Sequence, residues 1–179
     1  MVAKLDGPPI RGHTVVQTIW VLTSSALCLF LVIWGLAAMQ ATTTTANNAM
    51  VVDVTGQQWL WTFSYPGAGG VSSDVLYLPV NHPVEFHVTS LDVVHSFWIV
   101  QMGIKIDANP GEITYIGVTP DRLGTFNVRC AELCGIYHAY MQAQVRVVNA
   151  ASFSSWLGAQ RLAHATSTVS SRTTRQAAL

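Results

Sequence analysis

Charged residues are scarce in this sequence. Only 10% of its 179 residues are Asp, Glu, Lys or Arg, 50% are hydrophobic, and the mean hydropathy is +0.36. Ordinary soluble domains carry about 25% charged residues, so the composition argues against a simple soluble domain. The sequence also lacks internal repeats and a glycine-rich phosphate-binding loop. We expect no nucleic-acid partner.

The longest interval without charge lies near the N-terminus. No charged residue occurs between Arg11 and Asp53, and residues 15–39 within this interval are mostly apolar. A helix of that length rises ~37 Å, which exceeds the ~30 Å hydrocarbon core of a bilayer. A cleavable signal peptide is the alternative, but its apolar region spans only about 7–15 residues and ends at a small-x-small site. We therefore predict a retained transmembrane helix over residues 15–39, after an N-terminal segment of residues 1–14.

The charges that flank this helix indicate its orientation. Lys4 and Arg11 precede it, whereas residues 40–52 carry no positive charge. Positively charged flanks stay in the cytoplasm, so we expect a cytoplasmic N-terminus and an exported remainder. Between residues 50 and 150 the sequence has eight acidic and four basic residues, a net charge of −4. This modest acidity favours a basic partner.

The exported part has the pattern of an all-β domain. A polar linker, residues 40–49, leads into residues 50–150, where about seven short β-rich segments are separated by turn signals roughly every ten residues. Residues 83–88, PVEFHV, alternate apolar and polar side chains, as in a half-buried strand. This spacing predicts a β-sandwich or barrel. Within residues 151–179 we expect a short amphipathic helix, at 153–162, and a disordered tail.

Cysteine is rare, yet two of the three cysteines fall in one short run, CAELCGIYHAYM, at residues 130–141. If this run were helical, one face would carry Cys130, Cys134, His138 and Met141. The segments on either side alternate apolar and polar residues as strands do, so we predict that the run is a loop between two strands. A disulfide between Cys130 and Cys134 is the alternative to a metal site in an exported domain, and the Cys-x-x-x-Cys spacing alone does not decide between them.

The donor types narrow the identity of a metal. Thiolate, imidazole and a weak methionine are typical of copper electron-transfer sites, whereas zinc does not use a thioether. A mononuclear blue-copper site has one cysteine, so two thiolates suggest two bridged copper ions and require a second imidazole. A histidine in an apolar strand is usually a core residue. His95, at the start of an apolar strand, is nevertheless the best candidate for the missing ligand.

These motifs resemble those of cytochrome c oxidase subunit II, a membrane-anchored cupredoxin with a dinuclear copper centre, CuA. The resemblance rests on TSLDVVHSFWI followed by CAELCGIYHAYM, on Lys-x-Asp-Ala-x-Pro-Gly at residues 105–111, and on the aromatic run GQQWLWTFSY. It covers roughly residues 50–150. It implies an all-β cupredoxin-like Greek-key sandwich or barrel with one N-terminal transmembrane helix.

The resemblance also implies a set of site residues. Cys130 and Cys134 would bridge the two coppers, and His95 and His138 would be the imidazole ligands. The weak ligands would be Met141 and the backbone carbonyl of Glu132. The Glu132 side chain would reach toward a magnesium ion at the boundary with subunit I, and Trp59 would be the point of electron entry from cytochrome c.

The implied function is electron input to a haem-copper oxidase of a bacterial or equivalent respiratory membrane. Cytochrome c would be the donor, and haem in subunit I, beside other oxidase subunits, would use the electrons to reduce O2 to water. The alternatives are the CuA subunit of another terminal reductase, such as a nitric oxide reductase, and a membrane-anchored copper chaperone. Two departures stand out: most members have two membrane helices, and the sequence has no acidic residue between Asp6 and Asp53.

Overall fold

The computed structural model describes residues 12–43 and 48–176. They belong to two compact units that divide between Ala41 and Thr42. The predicted N-terminal segment lies largely outside the described residues, as does the middle of the predicted linker, residues 44–47.

The first unit contains helix α1 (Thr14–Thr43) except for its last two residues. The backbone N–H of Val16 donates to the His13 ring at 3.3 Å, which satisfies one of the N–H groups left free at the helix start. The stretch Thr14–Gln40 is long and apolar enough to cross a membrane, and none of it is buried within the protein. A helix is present where the sequence predicted a transmembrane helix, and it extends four residues into the predicted linker. Such continuous exposed apolar surface needs an apolar environment.

The second unit is a β-sandwich of ten described strands. Their bounds are β1 (Met50–Gln57), β2 (Leu60–Tyr65), β3 (Val71–Ser73), β4 (Leu76–Pro79), β5 (Val84–Ser90), β6 (His95–Ile99), β7 (Ile104–Ala108), β8 (Thr114–Val118), β9 (Gly124–Cys130) and β10 (Gln142–Val148). One sheet has the order β3-β2-β1-β5-β8 and the other β4-β10-β9-β6-β7. The pairs β1–β5 and β4–β10 are parallel, and the other pairs are antiparallel.

The sandwich confirms the predicted class but has more strands than the seven expected. The continuous β-rich stretch of residues 50–65 forms a hairpin, β1–β2, whose two-residue turn is Gln58-Trp59. Two-residue hairpin turns usually contain Asn-Gly or Asp-Gly, and this turn contains neither. The short strands β3 and β7 account for the other additional strands. Strand β5 is buried at every second residue, as its alternating sequence predicts.

Aromatic side chains fill the space between the sheets near the loop of residues 131–137. Trp61 and Phe97 are buried and meet edge to face, with ring centroids 5.7 Å apart. Phe97 also contacts Phe86, at 5.2 Å. Because Phe97 lies on β6 and Trp61 on β2, these contacts join the two sheets and support the end of the sandwich where β6 begins.

Helix α2 (Ala150–Gln176) packs against the sandwich through its first three turns. The Asn149 side chain accepts the N–H of Ser152 at 2.8 Å and caps the helix start. Trp156 stacks on Tyr77, with centroids 4.2 Å apart and an interplanar angle of 13°. The predicted helix at 153–162 is thus present. The remainder, which the sequence predicted to be unstructured, is helical as far as Gln176, since no glycine or proline follows Gly158 to end the helix.

Candidate metal centre

The run of residues 130–141 is a loop between two strands, as predicted. Strand β9 ends at Cys130, a short 3-10 helix covers His138–Tyr140, and β10 begins at Gln142. The N–H of Cys130 donates to the carbonyl of Met141 at 3.1 Å, which closes the loop at its base. Gly135 has a φ of +123°, a conformation that side chains rarely adopt, and it lets the loop turn sharply.

The two cysteine sulfurs lie at the middle of the site. Cys130 and Cys134 are both buried, both are free, and their Sγ atoms are 3.6 Å apart. A disulfide would bring the sulfurs to about 2.05 Å, so this separation leaves each sulfur available to other partners. Burial, and then the neighbouring Cys130, raise the pKa of the Cys134 thiol to about 12. A bound cation acts in the opposite direction and favours thiolate.

Each sulfur faces its own set of donor atoms. Nδ1 of His138 lies 3.5 Å from the Cys134 sulfur, and Sδ of Met141 lies 3.8 Å from it. On the other side, the Cys130 thiol donates to the backbone carbonyl of Glu132 at 3.2 Å. The structure therefore brings these five predicted groups together within one loop.

His95 reaches the same place from the neighbouring strand. Strand β6 pairs with β9, and the N–H of Ala131 donates to the carbonyl of Ser96 at 2.9 Å. The His95 ring is fully buried, with Nδ1 3.9 Å from the Cys130 sulfur. Ligand atoms of His95, Cys130 and Cys134 all lie within 4.8 Å of one another, close enough to hold a metal ion. The other four predicted donors thus surround the two cysteine sulfurs.

Asp92 holds the far side of the His95 ring, and sequence reasoning did not identify it. Its carboxylate lies 2.9 Å from Nε2 of His95 and accepts the backbone N–H groups of Gln58 and Val93. Burial raises the pKa of Asp92, but these hydrogen bonds outweigh that effect and lower it to about 2. A carboxylate on Nε2 keeps the proton there and leaves the Nδ1 lone pair facing the sulfurs. The only local sequence signal for this contact is the three-residue spacing between Asp92 and His95.

Trp59 lies beside the loop in the turn between β1 and β2. Its indole N–H donates to the carbonyl of Cys134 at 3.3 Å. The ring is half-buried and meets Tyr137 edge on, with centroids 4.8 Å apart. Tyr137 and Tyr140 are both exposed, at 51% and 79%, and lie between this region and solvent. The predicted entry residue is therefore adjacent to the sulfur cluster, not remote from it.

Comparison with known proteins gives a consistent result. The family model described as cytochrome c oxidase subunit II, periplasmic domain, matches residues 71–148. Cytochrome c oxidase subunit 2 of Thermostichus vulcanus is 44% identical over 107 residues, which are 60% of this chain and 32% of that protein. The alternative cytochrome c oxidase subunit 2 of Bradyrhizobium diazoefficiens is 34% identical over 157 residues, 71% of this chain and 57% of that protein. The chain thus spans about a third to somewhat over half of these relatives' lengths.

A solved structure supports the same relationship. The periplasmic domain of subunit II of cytochrome oxidase (CoxB) of Bradyrhizobium japonicum superposes with a TM-score of 0.63 at 30% identity. The match covers 66% of this chain and 97% of that domain. The cupredoxin-like sandwich, the copper-type donor set and these matches agree with one another, and the chain belongs to the cytochrome c oxidase subunit II family.

Proposed function

We propose that this chain is the electron-input subunit of a haem-copper terminal oxidase. It receives electrons from cytochrome c and passes them to haem in subunit I, where O2 is reduced to water. A dinuclear copper centre, CuA, supplies the one-electron redox chemistry when it is bound. The observation that carries the proposal is the arrangement of four donor groups around two cysteine sulfurs, six potential ligands in all.

The donor set fits two copper ions better than one metal ion. Each sulfur has its own imidazole, His95 beside Cys130 and His138 beside Cys134. Each also has one weak donor, the Glu132 carbonyl or the Met141 thioether. Soft sulfur and imidazole donors select copper, and two thiolates placed between two imidazoles can be shared by two ions. We assign His95, Cys130, Cys134 and His138 as strong ligands, with Met141 and the Glu132 carbonyl as weak ones.

Four of the six donor residues are buried, and His138 is half-buried. His95 and Met141 are fully buried, and both cysteines are less than 10% exposed. The ligands stand at the ends of β6 and β9 and in a loop closed by backbone hydrogen bonds, so they move little when the charge of the site changes. This restraint keeps the reorganisation on electron transfer small, which a relay needs and a catalyst of bond breaking does not.

Trp59 is the residue that we assign to electron entry. Its ring contacts the exposed Tyr137, and its indole N–H bonds directly to the Cys134 carbonyl. An electron arriving at this surface therefore meets an aromatic ring that is one hydrogen bond away from a ligand-bearing residue. A partner docked over Tyr137 and Tyr140 would come within reach of this ring.

The partners and the sidedness that we propose are supported by the family and by the charges that flank helix α1. We assign subunit I and other oxidase subunits as stable partners and cytochrome c as the transient one. Glu132 would bind copper through its backbone carbonyl, not through its exposed carboxylate. We assign that carboxylate to a magnesium ion at the boundary with subunit I. The helix α1 anchors the chain with its N-terminus in the cytoplasm and the sandwich outside. A copper chaperone of the thioredoxin-like class is disfavoured, because the domain is a sandwich.

The test is copper stoichiometry and electron paramagnetic resonance on the full chain purified in detergent. We expect two copper ions per chain that share one unpaired electron. Cys130→Ser and Cys134→Ser should abolish that signal, whereas Cys28→Ser, in the membrane helix, should leave it unchanged. A single copper, a zinc ion, or an unaltered signal in the Cys130 and Cys134 variants would contradict the proposal. Reconstitution with an oxidase core then tests whether O2 or nitric oxide is the final acceptor.

A further inference from the structure

The turn of the β1–β2 hairpin is bound to the segment that precedes His95. The carbonyl of Gly56 accepts the N–H of Leu91 at 3.0 Å. The backbone N–H of Gln58 donates to Oδ2 of Asp92 at 2.8 Å, while Oδ1 of the same carboxylate lies against Nε2 of His95. The main chain of the turn therefore holds the group that orients the His95 ring.

The side chain of Gln58 points to the other half of the centre. Its Nε2 donates to the carbonyl of Cys134 at 2.8 Å, across 76 residues of sequence. The indole N–H of Trp59 approaches the same carbonyl at the longer distance of 3.3 Å. One residue thus contacts Asp92 through its backbone and Cys134 through its side chain.

Two glycines allow this close approach. A Cβ atom on Gly56 would lie 3.0 Å from Cδ2 of His95, which is tighter than side chains normally pack. A Cβ atom on Gly135 would lie 3.0 Å from Nε2 of Gln58 and 3.1 Å from the indole nitrogen of Trp59. Gly56 therefore lets β1 approach His95, and Gly135 lets the loop approach the turn, with no room for an added methyl group at either position.

We propose that Gln58 is a positioning residue that ties the His95 half of the centre to the Cys134 half. The proposal rests on the proposed function, because it concerns the copper ligands named there. Without the Gln58 amide, the Cys134 carbonyl keeps only the longer bond from Trp59. The peptide that joins Cys134 to Gly135 can then rotate, and the Cys134 sulfur moves with it relative to Cys130 and His138.

The experiment uses the full chain in detergent, loaded with copper, and three variants. Gln58→Leu removes the amide at nearly constant size, and Gln58→Glu replaces the donor by a carboxylate that cannot donate. Both keep the backbone N–H that holds Asp92. Gln57→Leu is the matched control, since it makes the same change at the neighbouring exposed position, the last residue of β1. Copper affinity is measured by chelator competition, the copper hyperfine pattern by paramagnetic resonance, and the melting temperature on copper-free protein.

We expect Gln58→Leu and Gln58→Glu to bind copper about 10–100-fold more weakly, the usual effect of losing a residue that orients a ligand. Their hyperfine pattern should change, whereas Gln57→Leu should match the parent in both measurements. The copper-free melting temperatures of the Gln57 and Gln58 variants should be similar.

The outcomes separate the two proposals. If the parent chain does not bind two copper ions, the proposed function fails. If the parent binds them and both Gln58 variants keep its affinity and hyperfine pattern, the positioning role is overturned. It is also overturned if affinity falls only together with the copper-free melting temperature, because Gln58 would then serve the fold. Should Gln58→Leu fail to fold, Gln58→Glu decides by the same measurements.

Discussion

The carboxylate of Asp92 lies 2.9 Å from Nε2 of His95, on the side of the ring opposite the Cys130 sulfur. The ring is fully buried beneath this carboxylate, which is its partner on that side. A buried histidine that lost it would have an unpaired Nε2–H, and the ring would be free to flip and present the wrong nitrogen to the sulfurs. Asp92 therefore fixes both the tautomer and the orientation of His95.

Replacement of Asp92 tests this role directly. We expect Asp92→Ala to weaken copper binding about 10–100-fold, in the range found for partners of metal-bound histidines. Chelator competition on the full chain measures the affinity. Asp74→Ala is the control, because it removes a carboxylate from the exposed β3–β4 connection. Equal affinity in the parent and the Asp92 variant would show that burial alone orients the ring.

The space beside His95 gives a second prediction. Gly56 lies on β1 and faces the His95 ring, and a Cβ atom on Gly56 would also lie 3.1 Å from the Trp61 ring. We expect Gly56→Ala to lower the free energy of unfolding by about 1–3 kcal/mol through overpacking. Gly67→Ala is the matched control, since a Cβ at that position meets nothing within 4 Å. Urea denaturation of the two copper-free variants measures the difference, and equal midpoints would show that the strand shifts without cost.

The sequence predicted the fold class and the donor groups because both have local signatures. Alternation in strands such as β5 and turn signals between them indicate a sandwich, and the close spacing of Cys130, Cys134, His138 and Met141 places four donors in one loop. His95 entered only through the need for a second imidazole and through family resemblance. Its placement depends on the pairing of β6 with β9, which no local pattern encodes.

The supporting residues escaped prediction for the same physical reason. Gln58 and Cys134 are 76 residues apart, so a hydrogen bond between them has no signature in either segment. The turn that carries Gln58 also lacks the glycine or asparagine that normally marks a hairpin. The extent of α2 was underestimated because a Ser- and Thr-rich composition resembles a disordered tail, although nothing in it breaks a helix.

Tyr65 gives a prediction for alkaline pH. Its hydroxyl donates to the carbonyl of Tyr77 at 3.0 Å and accepts the N–H of Tyr77 at 2.8 Å, and burial raises its pKa. A raised pKa means that the folded state favours the neutral phenol, so this stabilisation is complete below the unfolded pKa of about 10 and is lost as the pH rises beyond it. The parent should therefore lose stability above pH ~10 more steeply than Tyr65→Phe does.

The same variant tests the hydrogen bonds at neutral pH. Tyr65→Phe leaves the N–H and the carbonyl of Tyr77 without these partners, which should cost about 1–3 kcal/mol of unfolding free energy. Tyr140→Phe, at a site that is 79% exposed, should cost almost nothing. Denaturation curves at pH 7 and at a series of pH values up to ~11 provide both comparisons. Parallel pH profiles for the parent and Tyr65→Phe would contradict the assignment.

Trp59 has two contacts that separate its proposed roles. Its ring meets Tyr137, and its N–H bonds to the Cys134 carbonyl, which also receives the shorter bond from Gln58. Because Gln58 keeps that carbonyl in place, Trp59→Phe should leave the copper spectrum nearly unchanged. If the indole is the entry point, reduction by cytochrome c should slow at least about tenfold, equivalent to ~1.4 kcal/mol in the barrier.

Stopped-flow reduction of the copper-loaded full chain by cytochrome c measures the rate, and its optical spectrum reports on the ligands. Trp98→Phe is the matched control, because Trp98 is a partly exposed tryptophan on β6 whose side chain lies outside the donor cluster. A normal rate in Trp59→Phe would place electron entry elsewhere on the surface. A slowed rate together with an altered spectrum would mean that Trp59 acts through the Cys134 carbonyl. Only a slower rate with an unchanged spectrum is specific to electron entry.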